Sequence, residues 1–130
     1  MRLVLDTNAY SAMRRGHPGV AQHLRAATEI IMSTVVLGEL LYGFHHGTRY
    51  EDNLRRLDGF LSRPEVGVLP VSRQTAEIFG RISTQLRRAG TPIPSNDIWI
   101  AAHNVEMEAT LLSFDPHFRR VNPLRWIELS

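Results

Sequence analysis

Four acidic side chains stand at places where a folded protein rarely leaves a charge without compensation. Asp6 directly follows a short apolar run, and Asp115 lies just beyond another. Glu39 lies inside an apolar stretch, and Asp97 precedes one. If the fold brings these acids together, their repulsion raises some pKa values and destabilises the fold unless a cation is bound. Carboxylates in a chain without Cys favour a hard ion such as Mg²⁺ or Mn²⁺.

Such a site has a characteristic chemistry. Metal ions held by acidic residues lower the pKa of a bound water and hold phosphate oxygens during in-line attack. The four acids therefore favour phosphodiester or phosphoryl chemistry. For Asp6 taken alone, a simple role as the N-cap of the next helix is equally consistent, because Asp is a preferred capping residue. Most of the other acids lie on polar faces or near Arg and need only be solvated surface.

Alternating strands and helices must position these acids. Short apolar runs bounded by turn residues predict strands at 3–5, 30–32, 66–69, 110–113 and 126–129. Helical spacing predicts helices at 9–15, 18–28, 35–46, 72–89 and 98–107, a further helical region after a capping box at 48–51, and one turn at 116–120. This order predicts an α/β sandwich around a mainly parallel sheet. Since open α/β sheets place ligands at the carboxyl ends of their strands, Asp6 and Asp115 meet if their strands are neighbours.

One predicted helix face can be named in advance. In the helix at 72–89, helical spacing predicts that Ala76, Phe79, Ile82 and Leu86 are buried. Gly90 follows directly and is expected to end the helix.

Composition limits the class of protein. A chain of 130 residues is long enough for one domain with a real core. It has no Cys, which excludes disulfides and thiolate metal sites and fits a reducing cytoplasm. No apolar run approaches the roughly 18 residues that span a membrane, and the N-terminus has no signal-peptide pattern. The formal net charge of +2 is too small to indicate nucleic-acid binding by itself, although all 15 basic residues are Arg, which grips phosphate well.

Four segments together resemble the PIN-domain ribonucleases, and most closely the VapC-like toxins of bacterial toxin–antitoxin pairs. They are LVLDTN at 3–8, STVVLGELLYG at 33–43, NDIWIAA at 96–102 and LLSFDPHF at 111–118. The segments occur in the family's order and cover nearly the whole chain. Four linked motifs are far more specific than any one of them.

The resemblance implies a fold, an activity and a set of partners. We expect one PIN domain over 1–130, a three-layer sandwich with strand order 3-2-1-4-5 flanked by helices. The implied activity is Mg²⁺- or Mn²⁺-dependent RNA cleavage by a metal-activated water, which leaves a 3′-hydroxyl and a 5′-phosphate. The implied partners are the RNA substrate, a second copy in a homodimer, and an antitoxin whose tail enters the active-site groove.

The family pattern also implies a role for six residues here. Asp6, Asp97 and Asp115 are expected to be metal ligands, and Glu39 a ligand or an orienting residue. Asn8 and Ser113 are expected to steady the acidic cluster by hydrogen bonds. Ser113 stands where Thr is frequent in the family, which preserves the hydroxyl. One bound ion and two are both compatible with this set of acids.

Other functions are less consistent with the sequence. A phosphatase of the haloacid dehalogenase type needs a second Asp two residues after the first, where this chain has Asn8. A dinucleotide-binding oxidoreductase needs a Gly-x-Gly-x-x-Gly loop, which is absent after the first strand. A catalytically inactive PIN-like module that binds RNA or protein is the main alternative, and the presence of all four acids disfavours it.

Two His and two Trp residues are further candidates for functional groups. His103 and His117 are predicted to be packing or surface residues rather than ligands, with the alternative that His117, two residues after Asp115, approaches the substrate. Trp99 and Trp126 are predicted to lie in the core or an interface rather than to stack on bases.

Overall fold

Five short strands form one sheet with the order β3-β2-β1-β4-β5. The computed structural model describes all residues, 1–130. The strands are β1 (Arg2–Leu5), β2 (Glu29–Ser33), β3 (Val66–Leu69), β4 (Thr110–Ser113) and β5 (Trp126–Glu128). Every neighbouring pair is parallel. The predicted α/β class and strand order are confirmed.

Helices connect the parallel strands, as such crossovers require. They are α1 (Thr7–Arg14), α2 (Pro18–Ala26), α3 (Thr34–His46), α4 (Tyr50–Leu61), α5 (Arg73–Ala89) and α6 (Ser95–Glu106), with a 3₁₀ turn at Pro116–Arg120. No helix combines the length and the apolar character that crossing a membrane would demand. Each predicted helix is present, and α6 begins three residues earlier than expected, which places Asp97 inside its first turn.

The central strands are buried on both faces, which explains their unbroken apolar sequences. Leu3, Val4 and Leu5 of β1 have no exposed surface, and neither do Leu111 and Leu112 of β4. These two strands pair directly, with Leu5 opposite Leu112. The carboxyl ends of β1 and β4 therefore lie side by side, each followed by one of the acids.

The ends of several helices are fixed by capping residues, and one predicted cap is wrong. Ser33 caps α3 by accepting a hydrogen bond from the N–H of Val35 at 3.0 Å. Gly90 ends α5 in the left-handed conformation with φ of 69°. The capping box predicted at 48–51 does not form, because α4 begins at Tyr50 and no side chain caps it. Glu51 instead lies in the first turn, where its charge complements the helix dipole.

The buried face of α5 is also partly different from the prediction. Ile82 and Leu86 are buried as expected, but Thr75 and Ile78 are buried instead of Ala76 and Phe79. Phe79 is partly buried and packs against the core, and Thr75 has a polar partner that a sequence pattern does not reveal. Its hydroxyl donates to Glu106 at the end of α6, and α5 packs mainly against α6.

Candidate metal centre

Asp6 joins the end of β1 to the start of α1. Its Oδ1 accepts a hydrogen bond from the N–H of Ala9 at 2.9 Å, so it does cap α1. Its Oδ2 accepts a hydrogen bond from the hydroxyl of Ser113 at the end of β4. Only 5% of Asp6 is exposed. The carboxylate is therefore held in one orientation by two elements that are far apart along the chain.

Burial raises the pKa of Asp6 to about 6 from the ordinary value of 3.8. The hydrogen bonds from Ser113 and Ala9 lower the pKa, and the charges of Asp97 and Asp115 raise it further. Loss of hydration is thus the largest cause, and repulsion between the acids is a smaller one. The depth of burial of this carboxylate depends on how separate elements pack, which local sequence patterns do not show.

Asp97 and Asp115 meet across the side chain of His117. The Nδ1 atom of His117 lies 3.4 Å from Oδ2 of Asp97 and 3.2 Å from Oδ1 of Asp115. Asp115 caps the 3₁₀ turn by accepting from the N–H of His117 at 2.9 Å, and its own N–H donates to Oγ of Ser113 at the same distance. The pKa of Asp97 is raised, chiefly by burial, while the hydrogen bond from His117 lowers it.

Glu39 reaches the same place from the second turn of α3. Its Oε1 accepts a hydrogen bond from the hydroxyl of Thr7 at 2.6 Å. Its Oε2 accepts a hydrogen bond from the side-chain amide of Asn96 at 3.3 Å. Both carboxylate oxygens are therefore oriented, one from the start of α1 and the other from the start of α6.

All four predicted acids line one cleft of about 150 Å³. The lining consists of Asp6, Thr7, Asn8, Glu39, Asp97, Ile100 and Asp115. It includes no Arg or Lys that could balance the carboxylates. Oxygen ligands around a small space without a basic side chain fit a divalent cation. One ligand atom each from Asp97, Asp115 and His117 lies within 4.8 Å of the others, close enough to share an ion.

The structure revises the roles of some residues around the acids. Ser113 binds Asp6 as expected, but Asn8 is exposed and its side chain forms no hydrogen bond with any acid. His117 was predicted to be a packing or surface residue, yet it lies among the acids. Its only sequence signal is its position two residues after Asp115. Thr7 and Asn96 were not singled out either, although each adjoins one of the acids in sequence.

The predictions for His103 and Trp99 agree with the structure. His103 is fully buried, and its ring nitrogens lie 2.8 Å from Oγ of Ser33 and 3.2 Å from the carbonyl oxygen of Pro70. Burial lowers the pKa of His103, which favours the neutral ring of a packing residue. Trp99 stacks on Phe79 with ring centroids 3.9 Å apart, so it joins α6 to α5.

Comparison with known proteins points to one family. The model of the family described as PIN domain matches residues 3–123. The chain is 32% identical over 126 residues to Ribonuclease VapC2 of Rickettsia felis, covering 93% of this chain and 92% of that protein. It is 33% identical over 108 residues to the tRNA(fMet)-specific endonuclease VapC of Salmonella typhimurium, covering 79% of this chain and 78% of that protein.

Solved structures agree with this assignment. The fold matches a chain of VapBC2 from Rickettsia felis, solved bound to a DNA fragment from its promoter, with a TM-score of 0.89 and 28% identity. Both chains are covered completely in that match. A chain of DNA-bound VapBC from Salmonella typhimurium matches with a TM-score of 0.86 and 27% identity over 98% of each chain.

Proposed function

This chain belongs to the PIN-domain family, and on that basis we propose that it is an endoribonuclease of the VapC type, the toxin of a toxin–antitoxin pair. The observation that carries the proposal is the convergence of Asp6, Glu39, Asp97 and Asp115 on one cleft. An inactive binding module would have no need to gather four carboxylates there. The relatives named as ribonucleases or as a tRNA endonuclease support the same activity.

We assign Mg²⁺ or Mn²⁺ to this cleft, with Asp6, Asp97 and Asp115 as its ligands. The assignment is supported by the set of oxygen donors and by a lining without basic side chains. A cation bound there would lower the pKa of a water and neutralise charge on the phosphate of the RNA. His117 adds a nitrogen donor within reach of Asp97 and Asp115.

The chain's own residues prepare the site by fixing the carboxylates in place. Asp6 is held by Ser113 and by the N–H of Ala9, so its remaining lone pairs keep one direction. Glu39 already uses both oxygens, towards Thr7 and Asn96. Asp6 likewise has a hydrogen bond at each oxygen, so this does not exclude Glu39 as a ligand, and we assign Glu39 the role of a further ligand or of an orienting residue that adds negative charge to the cleft. Such preorganisation lowers the cost of ordering the site when the substrate binds.

The partners follow from the same proposal. RNA is the substrate, and exposed Arg side chains outside the cleft are available to contact its backbone. An antitoxin and a second copy of the chain are the proposed protein partners, and the solved VapBC relatives support the antitoxin. Light scattering on the purified chain, alone and with its antitoxin, measures both assemblies.

Cleavage of RNA by the purified chain tests the proposal. We expect cleavage with Mg²⁺ or Mn²⁺, none with EDTA, and none for Asp97→Asn, which removes a charge with little change of shape. Asp58→Asn is the matched control, because Asp58 is an exposed acid on α4 outside the cleft. Cleavage by Asp97→Asn at the wild-type rate would refute the site. A wild-type protein that binds RNA but cleaves none with either ion would favour the inactive module.

A further inference from the structure

A second, wider groove adjoins the acidic cleft. It has a volume of about 670 Å³ and shares Thr7 and Glu39 with the cleft. The rest of its lining is Thr34, Val35, Gly38, Tyr42 and Asn96. A molecule bound at the acids can therefore extend directly into this groove.

Tyr42 presents an aromatic ring to the groove. The residue is 67% exposed, more than any other large apolar side chain. It lies three residues after Glu39 on α3, so the two side chains are neighbours with Cβ atoms roughly 5–6 Å apart. His46 packs against one side of the ring, with centroids 4.3 Å apart. The ring is thus supported on one side and open to solvent elsewhere.

Gly38 leaves space beside the Tyr42 ring. Side chains on a helix lean towards its N-terminus, so the side chain at 42 extends over position 38, four residues earlier. A Cβ atom at Gly38 would meet nothing within 4 Å. No close packing therefore requires glycine there, and glycine in a helix interior is less stable than alanine. Because Gly38 and Tyr42 both line the groove, the missing side chain at 38 leaves the groove wider next to Tyr42.

The charge of the groove selects the part of a nucleotide that fits it. Its lining has no Arg, Lys or His, and its only carboxylate is that of Glu39. A phosphate would be repelled there, whereas a neutral base would not. Aromatic rings stack on bases of any type, and Asn96 and Thr34 offer polar groups to a base edge. This polar lining is poorly suited to burying the apolar face of a protein helix.

We propose that this groove, which we call the Tyr42 groove, binds one unpaired RNA base stacked on the Tyr42 ring, beside the phosphodiester held at the acidic cleft. The inference rests on the proposed ribonuclease function and adds a substrate-binding subsite to it. Tyr42 binds and positions the substrate, while the acids perform the chemistry.

Steady-state cleavage of a short unstructured oligoribonucleotide tests the subsite. We expect Tyr42→Ala to raise KM by about tenfold, the effect typical of losing one base–aromatic stack, with kcat nearly unchanged. Tyr42→Phe keeps the ring and should behave as wild type. Tyr50→Ala is the matched control, because Tyr50 also packs against a His, His45, with ring centroids 4.2 Å apart, but lines neither the cleft nor the groove.

A side chain placed at Gly38, in the lining of the groove, gives a second variant with a different expected result. Gly38→Leu should raise KM as Tyr42→Ala does, while its melting temperature is maintained or increased, because Leu is the better helix former. A KM equal to that of wild type in both variants would overturn the subsite. The ribonuclease proposal would still stand, because the wild-type protein would have cleaved the RNA.

A binding measurement keeps the test independent of catalysis. Fluorescence anisotropy with the same labelled oligoribonucleotide, on an Asp97→Asn background, should show about tenfold weaker affinity when Tyr42→Ala is added. Equal affinities would overturn the inference. Equal affinities together with a smaller particle in light scattering would assign Tyr42 to a contact between protein chains instead.

Discussion

The hydroxyl of Ser113 donates a hydrogen bond to Oδ2 of Asp6, although 107 positions separate the two residues in the chain. The contact exists because β1 and β4 are parallel neighbours, so that their carboxyl ends lie together. The same Ser113 oxygen accepts the N–H of Asp115 at 2.9 Å. One small side chain thus connects two acids of the proposed metal site.

Replacing Ser113 with Ala should weaken both the fold and the site. Asp6 is buried, and loss of a hydrogen bond to a charged group costs about 2 kcal/mol. The metal affinity should fall by roughly tenfold or more, as is usual when a residue that orients a ligand is removed. Urea unfolding and titration calorimetry with Mn²⁺ measure the two effects. Ser113→Thr retains the hydroxyl and serves as the control, and an Ala variant with wild-type affinity would contradict the prediction.

The hydrogen bond from Thr7 to Glu39 should matter for the cleavage rate more than for the stability of the fold. Thr7→Val keeps the shape of the side chain but removes the donor 2.6 Å from Oε1. We expect kcat to fall by about tenfold, as the carboxylate becomes free to rotate. Thr7→Ser should restore most of the rate because it keeps the hydroxyl. If Val and Ser variants have equal rates, orientation of Glu39 is unimportant.

The stability of the metal-free protein should decrease as the pH rises from about 4 to about 6. The pKa of Asp6 is about 6 in the folded state, whereas its ordinary value, expected in the unfolded state, is 3.8. Between these values the folded state binds more protons than the unfolded state, so the free energy of unfolding falls with rising pH. The difference between the two pKa values corresponds to about 3 kcal/mol in the free energy of unfolding. This stabilisation is present below about pH 4 and is lost once the pH exceeds the folded pKa. Denaturant unfolding in EDTA at several pH values measures it.

Asp6→Asn isolates this effect from other titrating groups. Asn caps helices as well as Asp does, so the hydrogen bond from Ala9 can persist. The difference between wild type and the variant should grow in the variant's favour from pH 4 to pH 6 in EDTA. Both proteins contain His103, whose lowered pKa decreases stability as the pH falls. Subtracting one free energy of unfolding from the other at each pH therefore cancels the contribution of His103. A pH-independent difference would contradict the raised pKa of Asp6.

His117 should influence which cation the cleft prefers. Its Nδ1 lies close to both Asp97 and Asp115, and imidazole nitrogen suits transition-metal ions better than Mg²⁺. We expect His117→Asn to lower the affinity for Mn²⁺ by about tenfold and the affinity for Mg²⁺ much less. Competition titrations with the two ions measure this selectivity. Equal losses for both ions would show that His117 only spaces the two acids.

Much of the fold could be predicted from the sequence because its signals are local. Buried strands of a parallel sheet have continuous apolar runs, and all five runs became strands. Asp6 and Asp115 stood out because each follows such a run. Glu39 and Asp97 stood out because charges are rare beside apolar stretches. The family resemblance then supplied the strand order that makes these four residues neighbours, and the structure confirms that order.

The finer features could not be predicted because they depend on pairings between distant elements. Thr75 of α5 is buried and donates a hydrogen bond to Glu106 of α6, a pairing that no local pattern shows. Thr7 and Asn8 are adjacent in sequence, yet only Thr7 donates a side-chain hydrogen bond to Glu39. Similarly, His117 lies beside the acids because a short 3₁₀ turn, which begins directly after Asp115, carries its side chain there.

By itself the sequence determined the alternation of strands and helices and the identity of the acids, since apolar periodicity and charge are properties of single segments. Only the tertiary structure decided how deeply Asp6 is buried, which hydroxyls and amides hold the carboxylates, and that an open groove with Tyr42 continues the cleft. Burial, hydrogen-bond geometry and cavity shape arise where separate segments meet, and no single segment of the chain contains that information.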